Sequence, residues 1–339
     1  MNVTTIGIDL AKNIFQLHGV DKHGKAVLRK RLKREELLPY LANLPHCLIG
    51  IEASSGAHYW AREIHKLGHN VKMMPPQYVK PYVKTNKNDY NDAEGICEAV
   101  SRPNMRFVPL KTEMQQEIMM MHRMRSQLIQ MRTAHVNQLR GFLLEYGVAI
   151  PRGIERFREK LPEVLAALQG RLSLELLHMF DAMQKELARF DEQIHACDKK
   201  VAQIGRAHPV CKKLMDVEGI GPLTSSAVVG SVTDPASFRN GRHFAAWLGL
   251  VPRQHSSGGK TVLQGISKRG DVYLRTLLIH GARAVVAVAG KKTDARSRWI
   301  QKVKDRRGFN VAAVALANKN ARILWALMTR DEEYRTAGA

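Results

Sequence analysis

The sequence predicts an α/β domain, then a long helical arm, then a mainly helical C-terminal domain, and three observations carry that prediction. The first hundred residues alternate short β-branched runs with amphipathic stretches. Residues 112–145 and 171–204 are long, rich in Gln, Met, Leu and Arg, and nearly free of Gly and Pro. From residue 210 onward, small-residue helical segments are broken by glycine turns.

Taken in order, residues 3–10 are a β-branched run that closes on Asp9-Leu10. Residues 14–20 and 26–32 read as strands separated by the turn signal Asp21-Lys22-His23-Gly24. Residues 34–44 have helical spacing. Residues 46–51 form a short apolar strand that runs into Glu52-Ala53-Ser54-Ser55-Gly56, and residues 57–67 are helical again. Residues 71–74 make a fifth strand before Pro75-Pro76, and after a basic, Pro-punctuated stretch Asp89–Val100 reads as a helix. The order β-β-β-α-β-α-β-α specifies a mixed sheet with helices on its faces.

The two long helical stretches are separated by Gly147, Pro151, Gly153 and Pro162, which predicts a break and an antiparallel helical arm of coiled-coil type. Met114, Met119, Met120, Met121, Met124 and Met131 read as flexible packing on that arm's seam rather than as a partner surface. Three segments follow: residues 1–110, 111–205 and 206–339.

The chain has 339 residues, with 53 Lys and Arg against 31 Asp and Glu, a formal net charge of +22 and 45% hydrophobic residues. That composition excludes wholesale disorder. No stretch reaches the ~18–20 uninterrupted apolar residues of a membrane span, and the N-terminus lacks a signal-peptide pattern. Cys47, Cys97, Cys197 and Cys211 form no Cys-x-x-Cys pair, which argues against a disulfide framework or structural zinc and for a reduced, cytoplasmic compartment. Residues 201–339 hold 23 basic and 9 acidic side chains, including Lys291, Lys292, Arg296, Arg298, Lys302, Lys304, Arg306 and Arg307. Such an excess suits a phosphate-tracking surface, hence a nucleic-acid partner.

Asp9 and Glu52 end two strands that are neighbours in the expected sheet, so both carboxylates emerge at one end. Asp89 and Asp92 stand at i and i+3 in the first turn of one helix and share a face. Four converging carboxylates repel unless cations lie between them, and hard oxygen ligands suit Mg²⁺ or Mn²⁺. Two such ions ~3.5–4 Å apart form the clamp used in phosphodiester displacement. Each acid alone also fits a structural role: Asp9 on a neighbouring amide, Glu52 or the Asp89 pair as helix caps.

Val217-Glu218-Gly219-Ile220-Gly221-Pro222 lies between helical segments and carries the apolar-Gly-Ile-Gly signature of a helix–hairpin–helix. Gly219 and Gly221 would let backbone N–H groups approach a phosphate, or would simply make a tight turn. Apolar packing ends at Pro252, and a polar, Gly-rich loop is expected to follow, with Ser256-Ser257-Gly258 near Arg253, His255, Lys260, Lys268 and Arg269. Those cations would hold a phosphate beside a serine hydroxyl, and a covalent phosphoserine would conserve phosphodiester energy for rejoining. A plain loop serine is the alternative on spacing alone.

As an ordered set, Gly7-Ile8-Asp9-Leu10-Ala11-Lys12, Ile51-Glu52-Ala53-Ser54-Ser55-Gly56, Lys87-Asn88-Asp89-Tyr90-Asn91-Asp92-Ala93, Gly219-Ile220-Gly221-Pro222 and Leu248-Gly249-Leu250-Val251-Pro252 followed by Ser256-Ser257-Gly258 resemble the DEDD-type insertion-sequence transposases. These are the IS110 family with its IS1111 branch, related to Piv-type DNA invertases, and the likeness spans nearly the whole chain. The resemblance implies an RNase H-like, RuvC-like N-terminal domain with Asp9, Glu52, Asp89 and Asp92 as the metal-binding tetrad. It implies a C-terminal transposase domain whose serine attacks DNA, with Ser257 fitting the position before glycine and Ser256 as the alternative. It also implies guidance by a structured bridge RNA that pairs with donor and target DNA. Active assemblies of the family are oligomeric, a dimer or tetramer, with the two parts of the active site coming from different subunits. One departure is Asp271 after Lys268-Arg269-Gly270, where the pattern has Asn more often. Two readings compete: a junction-resolving nuclease that uses the carboxylates and water, and a basic architectural protein with no chemistry.

Overall fold

β-Branched runs with a period of two build the sheet of the first unit. In the computed structural model, residues 2–83, 89–258 and 260–335 are described, and the chain divides into two compact units, residues 1–112 and 113–339. The first contains β1 (Thr5–Leu10), β2 (Ile14–Val20), β3 (Ala26–Lys33), α1 (Leu37–Ala42), β4 (Leu48–Glu52), α2 (Ala57–Lys66), β5 (Asn70–Met74), the short α3 (Pro76–Val79) and α4 (Asp89–Val100). The sheet order is β3-β2-β1-β4-β5. β2 is antiparallel to β1 and β3, while β4 is parallel to β1 and β5. A mixed five-stranded sheet of this kind, with helices packed on it, is consistent with an RNase H-like DEDD transposase domain.

Strand alternation divides the sheet's two faces. Ile6, Ile8, Phe15, Leu17, Ile49 and Ile51 pack with Leu37, Leu41, Trp60 and Ile64 of α1 and α2. The Phe15 ring stands edge-on to Trp60 at 4.9 Å between centroids. The opposite face carries Gly7 and Gly50, and α4 lies there, sealed by Met74, Ile96, Ala99 and Val100.

The second unit contains α5 (Glu113–Glu145), α6 (Ile154–Ala167), α7 (Leu174–Ala207), α8 (Pro209–Met215), α9 (Pro222–Ser231), α10 (Gly241–Trp247), β6 (Pro252–Ser257), β7 (Lys260–Ile266), α11 (Val272–Val288), α12 (Ala295–Arg307) and α13 (Phe309–Thr329). α5 and α7 run antiparallel: Arg125 pairs with Asp198, Arg132 with Asp191, and His135 Nε2 meets Met183 O at 2.8 Å. Val228, Phe244, Leu248, Leu278, Leu316 and Leu324 form the core around which α9 to α13 pack. The four cysteines are free.

Three expectations are revised. The stretch between the long helices holds a third helix, α6, with Pro162 inside it. Phe157 and Leu161 bury against Val136, Leu139, Phe180 and Leu187, and Arg158 grips Asp191. That burial offsets the hydrogen bond proline removes. The polar segment after Pro252 is a two-stranded ribbon rather than a loop, because Thr261-Val262-Leu263 is β-prone and Gly258 turns the chain at φ +55°. Of the methionines expected in the seam, Met119 is buried, but Met114, Met120, Met124 and Met131 are exposed.

By length and composition Val272–Lys291 could cross a membrane. It carries Arg275 and Arg283, and it buries Leu274, Leu278, Ala282 and Val286 in the core.

A buried polar chain ties α5, α9 and α11 together. His122 meets the Tyr273 hydroxyl through Nδ1 at 2.9 Å and Ser226 Oγ through Nε2 at 3.0 Å. Ser226 Oγ donates to Pro222 O at 2.6 Å, so it accepts from Nε2–H, and Nδ1 then accepts from Tyr273. Burial, reinforced by Arg125, pushes His122 down to about 4 from the ordinary 6.5. Between those values the unfolded chain binds the extra proton. Stability is therefore complete above about pH 6.5 and falls as pH drops toward 4, by on the order of 3 kcal/mol. Urea midpoints at several pH values check this: His122→Gln should flatten the acid limb, and an equally steep limb in the variant would remove His122 as its cause.

Candidate active site

Two glycines set the distance between α4 and the sheet. A Cβ at Gly7 would collide with Ala93 O and Cys97 N, and one at Gly50 would lie 2.7 Å from Val100 Cβ. The helix backbone therefore rests directly on β1, and the Val100 side chain rests on β4. Cys97 Sγ reaches Thr5 O at 3.7 Å, at the start of β1. Ala93 lies over Gly7, so α4 runs antiparallel to β1 and its first turn arrives over the strand's end. Asp9 shares Gly7's face, and Glu52 shares Gly50's, by strand alternation. With Ile8 opposite Ile51 in the ladder, Asp9 and Glu52 are adjacent, about 4.8 Å apart along the sheet. Asp9, Glu52 and Asp92 are all half-buried at this edge.

The same face carries a residue that sequence reasoning missed. Gln16 is the cross-strand partner of Asp9, and its Oε1 is buried without a hydrogen-bond partner. The signal was there: in Ile14–Val20, Gln16 and His18 alternate with Phe15 and Leu17, which marks a second face of β2 as polar. His18 lies beside Gly7, and burial lowers its pKa, with Arg29 acting in the same direction and Glu94 against. Among the described residues, no three His, Cys, Asp or Glu side chains gather into a metal-holding group. The donor chemistry at this edge, half-buried carboxylates beside an unpartnered amide oxygen, nonetheless fits a hard divalent cation.

Lys87, Asn88 and Gly259 lie outside the described residues. Asp89, Ser257 and Lys260 are described by their backbone alone, Asp89 opening α4 and Ser257 opposing Lys260 in the ribbon.

The β6–β7 ribbon stands on a fixed base. Gly249 and Gly270, at φ +71° and +75°, bring the two ends of the ribbon into backbone contact, Gly249 against Arg269 and Gly270 against Trp247 O. Buried Arg275 clamps them, donating through Nη1 to Leu248 O at 3.0 Å and to Arg269 O at 2.8 Å. Asn318 Nδ2 holds Leu250 O at 3.1 Å. Asp271 caps α11 by accepting from Leu274 N at 2.9 Å, a task Asp and Asn perform equally well. At the far end Ser256 is exposed and accepts from Gln254 Nε2 at 2.7 Å. Arg253 and His255 are exposed on the same strand as Ser256. Lys268 and Arg269 lie at the base, roughly 16 Å of strand from the tip.

The turn at residues 216–221 joins α8 to α9. Gly219 takes φ +86°, and a Cβ there would sit 2.9 Å from Gly281 O of α11, so its glycine serves close packing. Glu218 O accepts from Arg296 and Asn320, and its carboxylate pairs with Lys292. Gly221 is exposed with open space around it, and its carbonyl accepts from Thr224 N and Ser225 N. Of the basic run, Lys292 and Arg296 are thus engaged internally, while Lys291, Arg298, Lys302, Arg306 and Arg307 face solvent.

Residues 6–148 match the family model for IS110-type DEDD transposases, and residues 211–298 match that of the transposase IS116/IS110/IS902 family. A probable family 20 transposase of Pseudomonas aeruginosa is 53% identical over 343 residues, covering 99% of both chains. This chain belongs to the IS110/IS116/IS902 transposase family. The transposase for insertion sequence element IS1111A of Coxiella burnetii is 45% identical, over 98% of this transposase and 92% of the relative. The transposase for element IS1328 of Yersinia enterocolitica is 42% identical, over 97% and 98%. Membership makes this transposase an insertion-sequence enzyme of the class that cuts and rejoins DNA. The first matched segment contains Asp9, Glu52, Asp89 and Asp92, and the second contains the Gly219 turn and the ribbon.

Proposed function

We propose that this transposase cuts and rejoins DNA through a serine of the ribbon, assisted by divalent metal at the carboxylate edge. The observation that carries the reading is the shared face and adjacent register of Asp9 and Glu52 beneath the first turn of α4. Asp9, Glu52, Asp89 and Asp92 would hold Mg²⁺ or Mn²⁺, two ions in the full site, supplying charge stabilisation at the phosphoryl group and leaving oxygen. The hydroxyl of Ser257, or of Ser256 as the alternative, loses its proton as Oγ bonds to phosphorus. The phosphorus–deoxyribose oxygen bond breaks, and the leaving oxygen takes up a proton. Attack by a new strand's hydroxyl reverses the linkage and joins the exchanged ends. Arg253 on the ribbon and Lys260 opposite Ser257, with Lys268 and Arg269 at the base, would contact the DNA backbone. Gly221 would present the start of α9 to a phosphate, while the role of Gly219 extends to holding that turn on α11.

Donor and target DNA are the substrates of this reading, chosen by pairing with a structured bridge RNA. The kinship with Piv-type invertases belongs to the same reading. Homo-oligomerisation would use the α5–α7 pair, where Met120, Met124 and Met131 form one exposed stripe. The cytoplasm, at the nucleoid, is the expected site of action.

The test is recombination between donor and target plasmids, with the element's flanking noncoding segment expressed alongside the protein. Wild type should yield joined products, and Asp92→Ala and Ser257→Ala should each reduce them at least 100-fold. Ser257→Ala should also abolish covalent protein–DNA adducts while nucleic-acid binding persists. Adducts that survive in Ser257→Ala but vanish in Ser256→Ala move the role to Ser256; adducts surviving in both end the serine mechanism.

A further inference from the structure

At the ends of β1 and β4 a surface cleft of about 550 Å³ opens beside the carboxylate edge. Lys12 lines it three residues beyond Asp9, and Ser54, Ser55 and Gly56 line it just beyond Glu52. Arg34 comes from the end of the neighbouring hairpin. Its Nη1 donates to Lys12 O at 3.2 Å, and its guanidinium lies 4.8 Å from the centre of the Trp60 ring. Trp60 is buried, so the ring is a fixed plate that holds the planar cation at the cleft wall. Among the described residues, those lining the cleft include no carboxylate.

Two cations, two hydroxyls and no acid make a receptor for an oxyanion with several acceptor oxygens. We propose that this cleft binds a backbone phosphate of the DNA strand undergoing cleavage, next to the phosphate that reacts at Asp9 and Glu52. Trp60 and Leu10 of the cleft belong to the face that packs α1 and α2, and Asp9 and Glu52 to the α4 face. A strand that crosses the ends of β1 and β4 from one face to the other would therefore pass from the carboxylates to Lys12 and Arg34. The cleft then sets the register of the scissile phosphate without reading bases. This assignment rests on the carboxylates being the cleavage centre.

The test measures binding of the full-length protein to a labelled duplex carrying the element's end, by fluorescence anisotropy across a salt series with metal chelated. Each lost phosphate contact makes the log–log salt slope shallower by about 1. Lys12→Gln should lose about 1, and Lys12→Gln with Arg34→Gln about 2. Lys22→Gln with Lys25→Gln, in the β2–β3 turn, should leave the slope unchanged. Because Arg34 also stacks on Trp60, the deciding variant is Lys12→Gln, whose native side chain is exposed. An unchanged slope for Lys12→Gln, an equal loss in the turn variant, or a loss seen only with an RNA duplex overturns the assignment. The chelated readout is independent of metal chemistry. If the slopes fall as expected while Asp92→Ala still recombines DNA, the carboxylate reading fails: the cleft still binds a backbone phosphate, but its role in setting the register of the scissile phosphate is overturned.

Discussion

Gly7→Ala is expected to destabilise the first unit by about 3 kcal/mol or more and to abolish recombination, although it adds a single methyl group. That methyl would occupy the space of Ala93 O and Cys97 N, main-chain atoms of α4 that no rotamer change can move aside. Relief requires lifting the helix, which strips Ile96 and Val100 from the sheet and carries Asp92 away from Asp9. Gly141→Ala is the matched control: it lies within α5 with open space around it, so the same substitution should stabilise by up to about 1 kcal/mol. Urea denaturation of both variants decides the matter. A Gly7→Ala midpoint close to wild type would mean that α4 does not rest on β1.

Arg275→Met should cost on the order of 3 kcal/mol and disable strand joining. Its Nη1 serves two main-chain carbonyls, Leu248 O and Arg269 O, at the foot of the ribbon. Methionine fills much of the volume but removes the donor from the buried Leu248 O and the part-buried Arg269 O. The glycine contacts at Gly249 and Gly270 then lose the clamp that holds the two strand ends together. Arg275→Lys keeps the charge but not the planar fork, and should fall between. The readout that separates ribbon from global stability is proteolysis between residues 252 and 266. Cleavage should accelerate in Arg275→Met under conditions where the core is still folded, and an unchanged rate would remove Arg275 from this role.

Much of this was legible in the residue order. β-Branched runs and turn signals gave five strands in sequence, and the acids at two strand ends and one helix start marked an edge. What could not be read was what sets the spacing between that helix and the two strands. Gly7 and Gly50 look like ordinary small residues in apolar strands, and only the packed helix reveals them as seats, Gly7 for its backbone and Gly50 for its Val100 side chain. Gln16 was hidden because its importance depends on cross-strand pairing with Asp9, a relation of register and not of sequence distance. Proline and glycine signals misled between the long helices, where tertiary burial of Phe157 and Leu161 outweighed the cost of Pro162. The ribbon was missed because Pro252, Arg253, Gln254, His255 and two serines make up its first strand, and its partner strand supplies the β-preference. Arg275 gives no local signal, since its two acceptors lie 6 and 27 residues away.

Asp9 and Glu52 hang from β1 and β4, the two strands at the middle of the sheet that contribute carboxylates and have a neighbour on either side. Asp89 and Asp92 belong to the first turn of a helix, where N–H groups lack acceptors within the helix and opening is least costly. The four acids are therefore mechanically unequal. In the proposed site one pair would be an anvil and the other the jaw, so adjustment to an incoming strand would fall on the helix start and leave the sheet in place.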